Sequence, residues 1–159
     1  MEKLIEAIVK ILVERQTKEL SLSCKDFKTD ERTDRDFIQH QTIHLHQVGA
    51  IQLAKLARMD DEDPLTVWLL SGLEFGCDVV LHLGFSAICL IPNELFEWPI
   101  QLNINQNKRL RVVPNKIITY SDVALLEQTD LLIRFRQQQV TAVAEDYLKK
   151  HKIQQIVRF

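Results

Sequence analysis

Residues 63 to 83, DPLTVWLLSGLEFGCDVVLHL, constrain the fold more than any other stretch of the chain. Asp63 is suited to cap a helix, and Pro64 suits its first position, where a missing N–H costs nothing. Leu65, Trp68, Leu69 and Gly72 then recur on one helical face, and Gly76 supplies the left-handed backbone that commonly ends a helix. The run DVVLHL, residues 78–83, is rich in β-branched residues and leucine and reads as a buried strand. Helix, glycine, buried strand is the grammar of an α/β unit.

The same alternation continues on both sides. Residues 43–48 read as a strand and AIQLAKLA, 50–57, as a helix. WPIQLNI (98–104) and RLRVV (109–113) read as strands joined by a polar NQNK turn. Thr119 or Ser121 is placed to cap a short helix through DVALLEQ, and DLLIRF (130–135) is a further strand. Thr141 can cap AVAEDYLKKHK, whose basic last turn suits the negative end of the helix dipole, and IQQIVRF closes the chain as a strand. The expectation is a three-layer α/β sandwich with a mostly parallel sheet. Strand order is left open. At 159 residues such a chain buries roughly 70% of the surface its unfolded form exposes, enough for a core without staples.

Ahead of this body stands EKLIEAIVKILVER, residues 2–15, with Leu4, Ile5, Ile8, Ile11 and Leu12 on one face of a 3.6-residue period. The following stretch to residue 36 is polar, with Leu20, Leu22 and Phe27 as isolated apolar points. The expected division is an amphipathic interaction or targeting helix over 1–18, a polar linker over 19–36 and one α/β domain over 37–159.

Several function classes lose support. A formal charge of −2 provides no global attraction to nucleic acid or membrane, and no apolar run approaches the ~20 residues of a membrane span. The N-terminus has no signal-peptide core, and three scattered cysteines fit a reducing cytoplasm better than a disulfide framework. With only Gly49, Gly72, Gly76 and Gly84, neither GxGxxG nor GxxxxGK[ST] is present, which argues against phosphate-binding loops of those kinds.

Candidate chemistry centres on HQTIHLH, residues 40–46. On a strand His40, Thr42, His44 and His46 point to one side, and the spacing of His44 and His46 can chelate zinc or copper. Cys77, Asp78 and His82 would have to supply further ligands, and the competing reading is a half-covered polar strand face. The pattern GFSAI (84–88) lacks the second glycine of a nucleophile elbow. The acidic run DDED (60–63) is more economically a capping feature. Lys108, Arg109, Arg111 and Lys116 lack the aromatic interleaving of a nucleic-acid surface, and Cys77 and Cys89 sit in apolar runs that keep thiols inert. No catalytic set of acid, base and nucleophile assembles.

ITYSDVALLEQTDLLIRF followed by QQQVTAVAEDYLKKHKIQQIVR resembles the ending of the propanediol-utilisation microcompartment protein PduM family. GLEFGCDVVLHL with LIPNELFEWPI, and the amphipathic helix with its polar sequel, are more loosely similar to the same family. The resemblance implies a non-enzymatic assembly component inside a bacterial microcompartment of the cytoplasm, without cofactor, contacting shell proteins or cargo enzymes. It further implies a flavoprotein-like, Rossmann-like α/β body. The alternative is a flavoprotein-like cofactor binder or enzyme serving 1,2-propanediol or cobalamin metabolism. Under the resemblance Leu4, Ile5, Ile8, Ile11 and Leu12 are the partner-binding residues; helix packing on its own domain, or against a second copy in a homo-oligomer, competes with it.

Overall fold

A computed structural model describes residues 1–105 and 107–158, so Gln106 of the NQNK turn lies outside the described residues. The strands are β1 (Glu19–Ser23), β2 (Thr42–Val48), β3 (Asp78–Leu83), β4 (Ile100–Ile104), β5 (Lys108–Val112), β6 (Ile117–Ile118), β7 (Asp130–Phe135), β8 (Gln139–Val140) and β9 (Gln154–Arg158). The helices are α1 (Glu2–Gln16), α2 (Arg35–Gln39), α3 (Ala50–Ala57), α4 (Pro64–Glu74), α5 (Tyr120–Val123) and α6 (Ala142–Lys150). Seven strands hydrogen-bond in the order β1-β2-β3-β4-β5-β7-β9, and β6 with β8 forms a separate parallel pair. The fold is mixed α/β, with a mostly parallel sheet flanked by helices, as the alternation predicts.

The chain divides into two units, one holding Met1–Phe85 and Leu90–Leu102, the other Ser86–Cys89 and the chain from Asn103 on. In the first, β1, β2 and β3 run parallel, with Ser21 opposite His44 and Leu45 opposite Leu81. Strand alternation sends Ile43, Leu45, Val79 and Leu81 inward, where they are buried together with Leu53 and Leu56 of α3 and Leu65, Trp68 and Leu69 of α4. Gly72 lets α4 approach closely, since a Cβ there would meet Phe37 Cε1 at 3.1 Å and Ile43 Cδ1 at 3.3 Å. Gly76, at φ +71°, turns the chain from α4 into β3 in the left-handed conformation expected of it.

Asp63 caps α4 as its sequence position predicts. Its carboxylate accepts hydrogen bonds from the Thr66 N–H at 2.9 Å, the Thr66 hydroxyl at 2.7 Å, Gln52 Nε2 at 2.7 Å and Lys55 Nζ at 3.0 Å. Burial alone would push this carboxyl up, but the hydrogen bonds outweigh it and hold the group far below the usual carboxylate range. Asp63→Ala removes all four partners' acceptor, so it is expected to destabilise the protein by about 1–2 kcal/mol, read as a lowered urea midpoint at unchanged slope.

Residues 19–36, expected as a polar linker, are instead built into the first unit. Leu20 and Leu22 alternate with Glu19, Ser21 and Ser23, and ELSLS forms edge strand β1 on β2. Two 3-10 turns follow, and α2 begins at Arg35. Few apolar points suffice here because the neighbouring strand supplies the backbone partners. Phe27 adds a ring contact with Trp68 at 5.6 Å.

The second unit holds the last two residues of β4, paired antiparallel with β5 with Asn103 opposite Arg109, and the parallel strands β5, β7 and β9. Asn105 and Asn107, at φ 42° and 75°, take the left-handed conformations that asparagine tolerates in the connecting turn. Ile118, Val123, Leu132, Ala144 and Leu148 form its fully covered centre. Thr119 caps α5 in a reciprocal box with Asp122, and Thr141 caps α6 by accepting from the Ala144 N–H. The helix expected through DVALLEQ stops at Val123, and the chain then turns into β7, where the Asp130 carboxylate accepts the Glu127 N–H at 3.0 Å.

Candidate functional site

Parallel pairing brings three of the five histidines together on one face of the first unit's sheet. His44 and His46 project from β2 and His82 from β3. His44 Nδ1 lies 3.0 Å from His82 Nε2, and the His46 and His82 rings stack at 4.3 Å with 11° between planes. From β1, Glu19 Oε2 stands 3.4 Å from His44 Nε2 and Ser21 Oγ 2.8 Å from His46 Nε2. The face is half-buried rather than sealed. Both ring nitrogens of His44 and the Nε2 atoms of His46 and His82 are thus engaged by one another and by β1, which ties the rings into a polar ladder. Among the described residues no group of three or more His, Cys, Asp or Glu side chains is arranged to hold a metal ion.

The other suggested ligands do not join the ladder. His40 ends α2, with its Nδ1 2.8 Å from the Asp36 carbonyl. Cys77 is buried, its Sγ near the carbonyls of Phe37 and His40. Asp78 receives the Gln41 side chain at 3.3 Å. Glu19 and Ser21 lie in the stretch whose polar composition points to a linker, which hides them from the sequence. The period-two placement of Glu19, Ser21 and Ser23 was the available signal.

Helix α1 presents the second candidate surface. None of its residues is buried. Leu4 is 64% exposed, Ile5 55%, Ile8 48%, Ile11 51% and Leu12 48%, so the whole predicted stripe faces outward. Val9 and Val13, not singled out by the periodicity, are exposed beside it. The base of the helix is nonetheless fixed. Arg15 Nη2 donates to the Phe75 carbonyl at 2.9 Å and reaches Cys77 Sγ at 3.3 Å, Nε donates to the His40 carbonyl at 3.4 Å, and the Arg15 carbonyl accepts the Gln41 N–H at 3.2 Å. The first unit therefore holds α1 by its last turn while leaving its apolar side chains without a covering layer. No helix among the described residues is long and apolar enough to cross a membrane.

A family model described as "Putative propanediol utilisation" matches residues 3–154. The chain belongs to this propanediol-utilisation family. Family membership thus extends from the first turn of α1 into β9, across both units. A curated relative, the bacterial microcompartment assembly protein PduM of Citrobacter freundii, is 27% identical over 157 residues, covering 98% of this chain and 95% of the relative. No solved structure gives a significant match.

Proposed function

We propose that this chain is a non-enzymatic structural component in the assembly of a bacterial propanediol-utilisation microcompartment in the cytoplasm. Its action is protein contact: α1 joins shell proteins or cargo enzymes through Leu4, Ile5, Ile8, Ile11 and Leu12. The family membership and the name of the Citrobacter relative support the setting. The observation that carries the contact reading is a helix with a fixed base and no buried residue. Exposing five large aliphatic side chains is costly, since burial of each contributes roughly 1.5–3 kcal/mol gross. Association and side-chain ordering subtract from that sum, leaving a moderate, partner-dependent affinity.

The test is affinity purification from the native host under inducing conditions, comparing the full chain with one lacking residues 1–13. The cut falls before Arg15, so the bonds from Arg15 to Phe75, Cys77 and His40 survive it. Shell and cargo proteins are expected with the full chain and not with the shortened one. Equal recovery would move the contact onto the α/β body. Absence of microcompartment proteins from both would overturn the assembly role.

A further inference from the structure

The first unit carries a second surface feature, apart from α1. The loop after β1 and the start of α4 enclose an open cavity of about 390 Å³. Its apolar wall is aromatic: Phe27, Phe37 and Trp68 line it, with Trp68 ring-to-ring at 5.6 Å from Phe27 and 5.2 Å from Phe37. Phe37 and Trp68 are themselves buried, so the wall is held rigid from behind. Asp34, Asp61 and Glu62 also line the cavity. Asp63 alone caps α4, and none of these three lining carboxylates forms an ion pair among the described residues. The one lining cation, Arg32, is committed to Asp36 at 3.7 Å, with both side chains largely covered.

An aromatic wall beside uncompensated carboxylates is complementary to a cation. We propose that this cavity receives an arginine side chain presented by a partner protein, a proposal that rests on the reading that the chain acts through protein contacts. The planar guanidinium packs against the part-exposed Phe27 ring, which the buried Trp68 and Phe37 back, and offers a fork of N–H donors to carboxylates, which a lysine ammonium cannot match in both respects. The cavity is roomier than a guanidinium and its stem require. Thr29, Thr33 and Ser71 line the remaining space and supply hydroxyls for the peptide groups flanking the arginine. The two contact surfaces are then separate: an apolar helix and an acidic-aromatic socket.

The experiment uses the isotopically labelled full chain and follows the Trp68 indole N–H resonance, assigned by comparison with Trp98→Phe. The probe is the blocked tripeptide Gly-Arg-Gly, set against the same peptide with neutral citrulline in place of arginine. A saturating shift with a midpoint on the order of millimolar is expected for the arginine peptide. It should weaken at least about fivefold in Asp61→Asn/Glu62→Gln and fall with added salt. Both carboxylates are exposed, so the double variant keeps the fold. No saturable shift, an equal response to citrulline, or indifference to the double variant would overturn the proposal. Guanidinium chloride acting at the same concentration as the peptide would overturn the protein-borne occupant and leave a small-cation pocket. Loss of arginine binding leaves the purification test of α1 untouched. A chain that bound the peptide yet recovered no microcompartment protein would retain the socket and lose the assembly role.

Discussion

Arg109→Ala is expected to destabilise the second unit by about 3–5 kcal/mol, the cost of leaving a buried carboxylate without its cation. The Asp130 side chain has 0% exposure, and its two oxygens take Arg109 Nε at 2.8 Å and Nη2 at 3.1 Å. The pair also ties β5 to β7, since Arg109 and Asp130 are opposite one another in the parallel register. Burial pushes the Asp130 carboxyl up, but the Arg109 guanidinium and the Glu127 N–H outweigh it and hold the group below the usual carboxylate range. A carboxyl depressed in the folded state contributes stability that is fully present above its unfolded pKa of about 3.9 and is lost as pH falls through the lower folded value. The stability gap between the natural protein and Asp130→Asn should therefore be constant near neutrality and shrink below about pH 4. Urea unfolding across pH measures both effects. Arg109→Met/Asp130→Leu should recover much of the loss, because an apolar pair leaves no orphaned charge. If Arg109→Ala proved nearly neutral, water would have to reach Asp130 in the folded state.

The alternation of helices and strands was legible because it is written locally. Asp63-Pro64 and Thr141 each mark a helix start through short-range hydrogen bonds, Thr119 or Ser121 marks another that the structure assigns to Thr119, and Gly76 marks an end through its own φ. Strand β1 was not legible in the same way. The period-two pattern of ELSLS spans only five residues, too short to mark a strand by itself, and what makes it one is the backbone of β2, distant in sequence. The histidine ladder shows the same limit. Residues 44 and 46 reveal a shared strand face, but bringing His82 to 3.0 Å of His44 depends on the register of β2 against β3, which no single stretch encodes. The aromatic cavity likewise depends on segments around residues 27–37 and 61–71 meeting in space. What sequence periodicity did identify on α1 was the stripe itself. That this stripe lies uncovered is a tertiary fact: the described bonds of the first unit to the helix gather at Arg15, and none of the helix's residues is buried.

That tertiary fact makes Ile8→Asp the most informative single substitution. Ile8 lies at the centre of the stripe and is 48% exposed, with no buried residue on its helix. Stability of the isolated protein is expected to change by no more than about 0.5 kcal/mol, the range of ordinary surface substitutions. Association is expected to behave oppositely. A partner loses an isoleucine worth roughly 1.5–3 kcal/mol of burial and must also desolvate a carboxylate without a counter-ion. A combined penalty of about 3 kcal/mol or more corresponds to weakening beyond about a hundredfold, enough to abolish co-sedimentation with microcompartment particles. The two readouts separate the alternatives. A folded Ile8→Asp protein that no longer co-sediments assigns the contact to α1. A folded protein that co-sediments normally moves it to the α/β body, with the acidic-aromatic cavity next to be tested. A lowered urea midpoint would show instead that the stripe is covered in solution, by its own unit or by a second copy, and dilution distinguishes these because only the second makes stability depend on protein concentration.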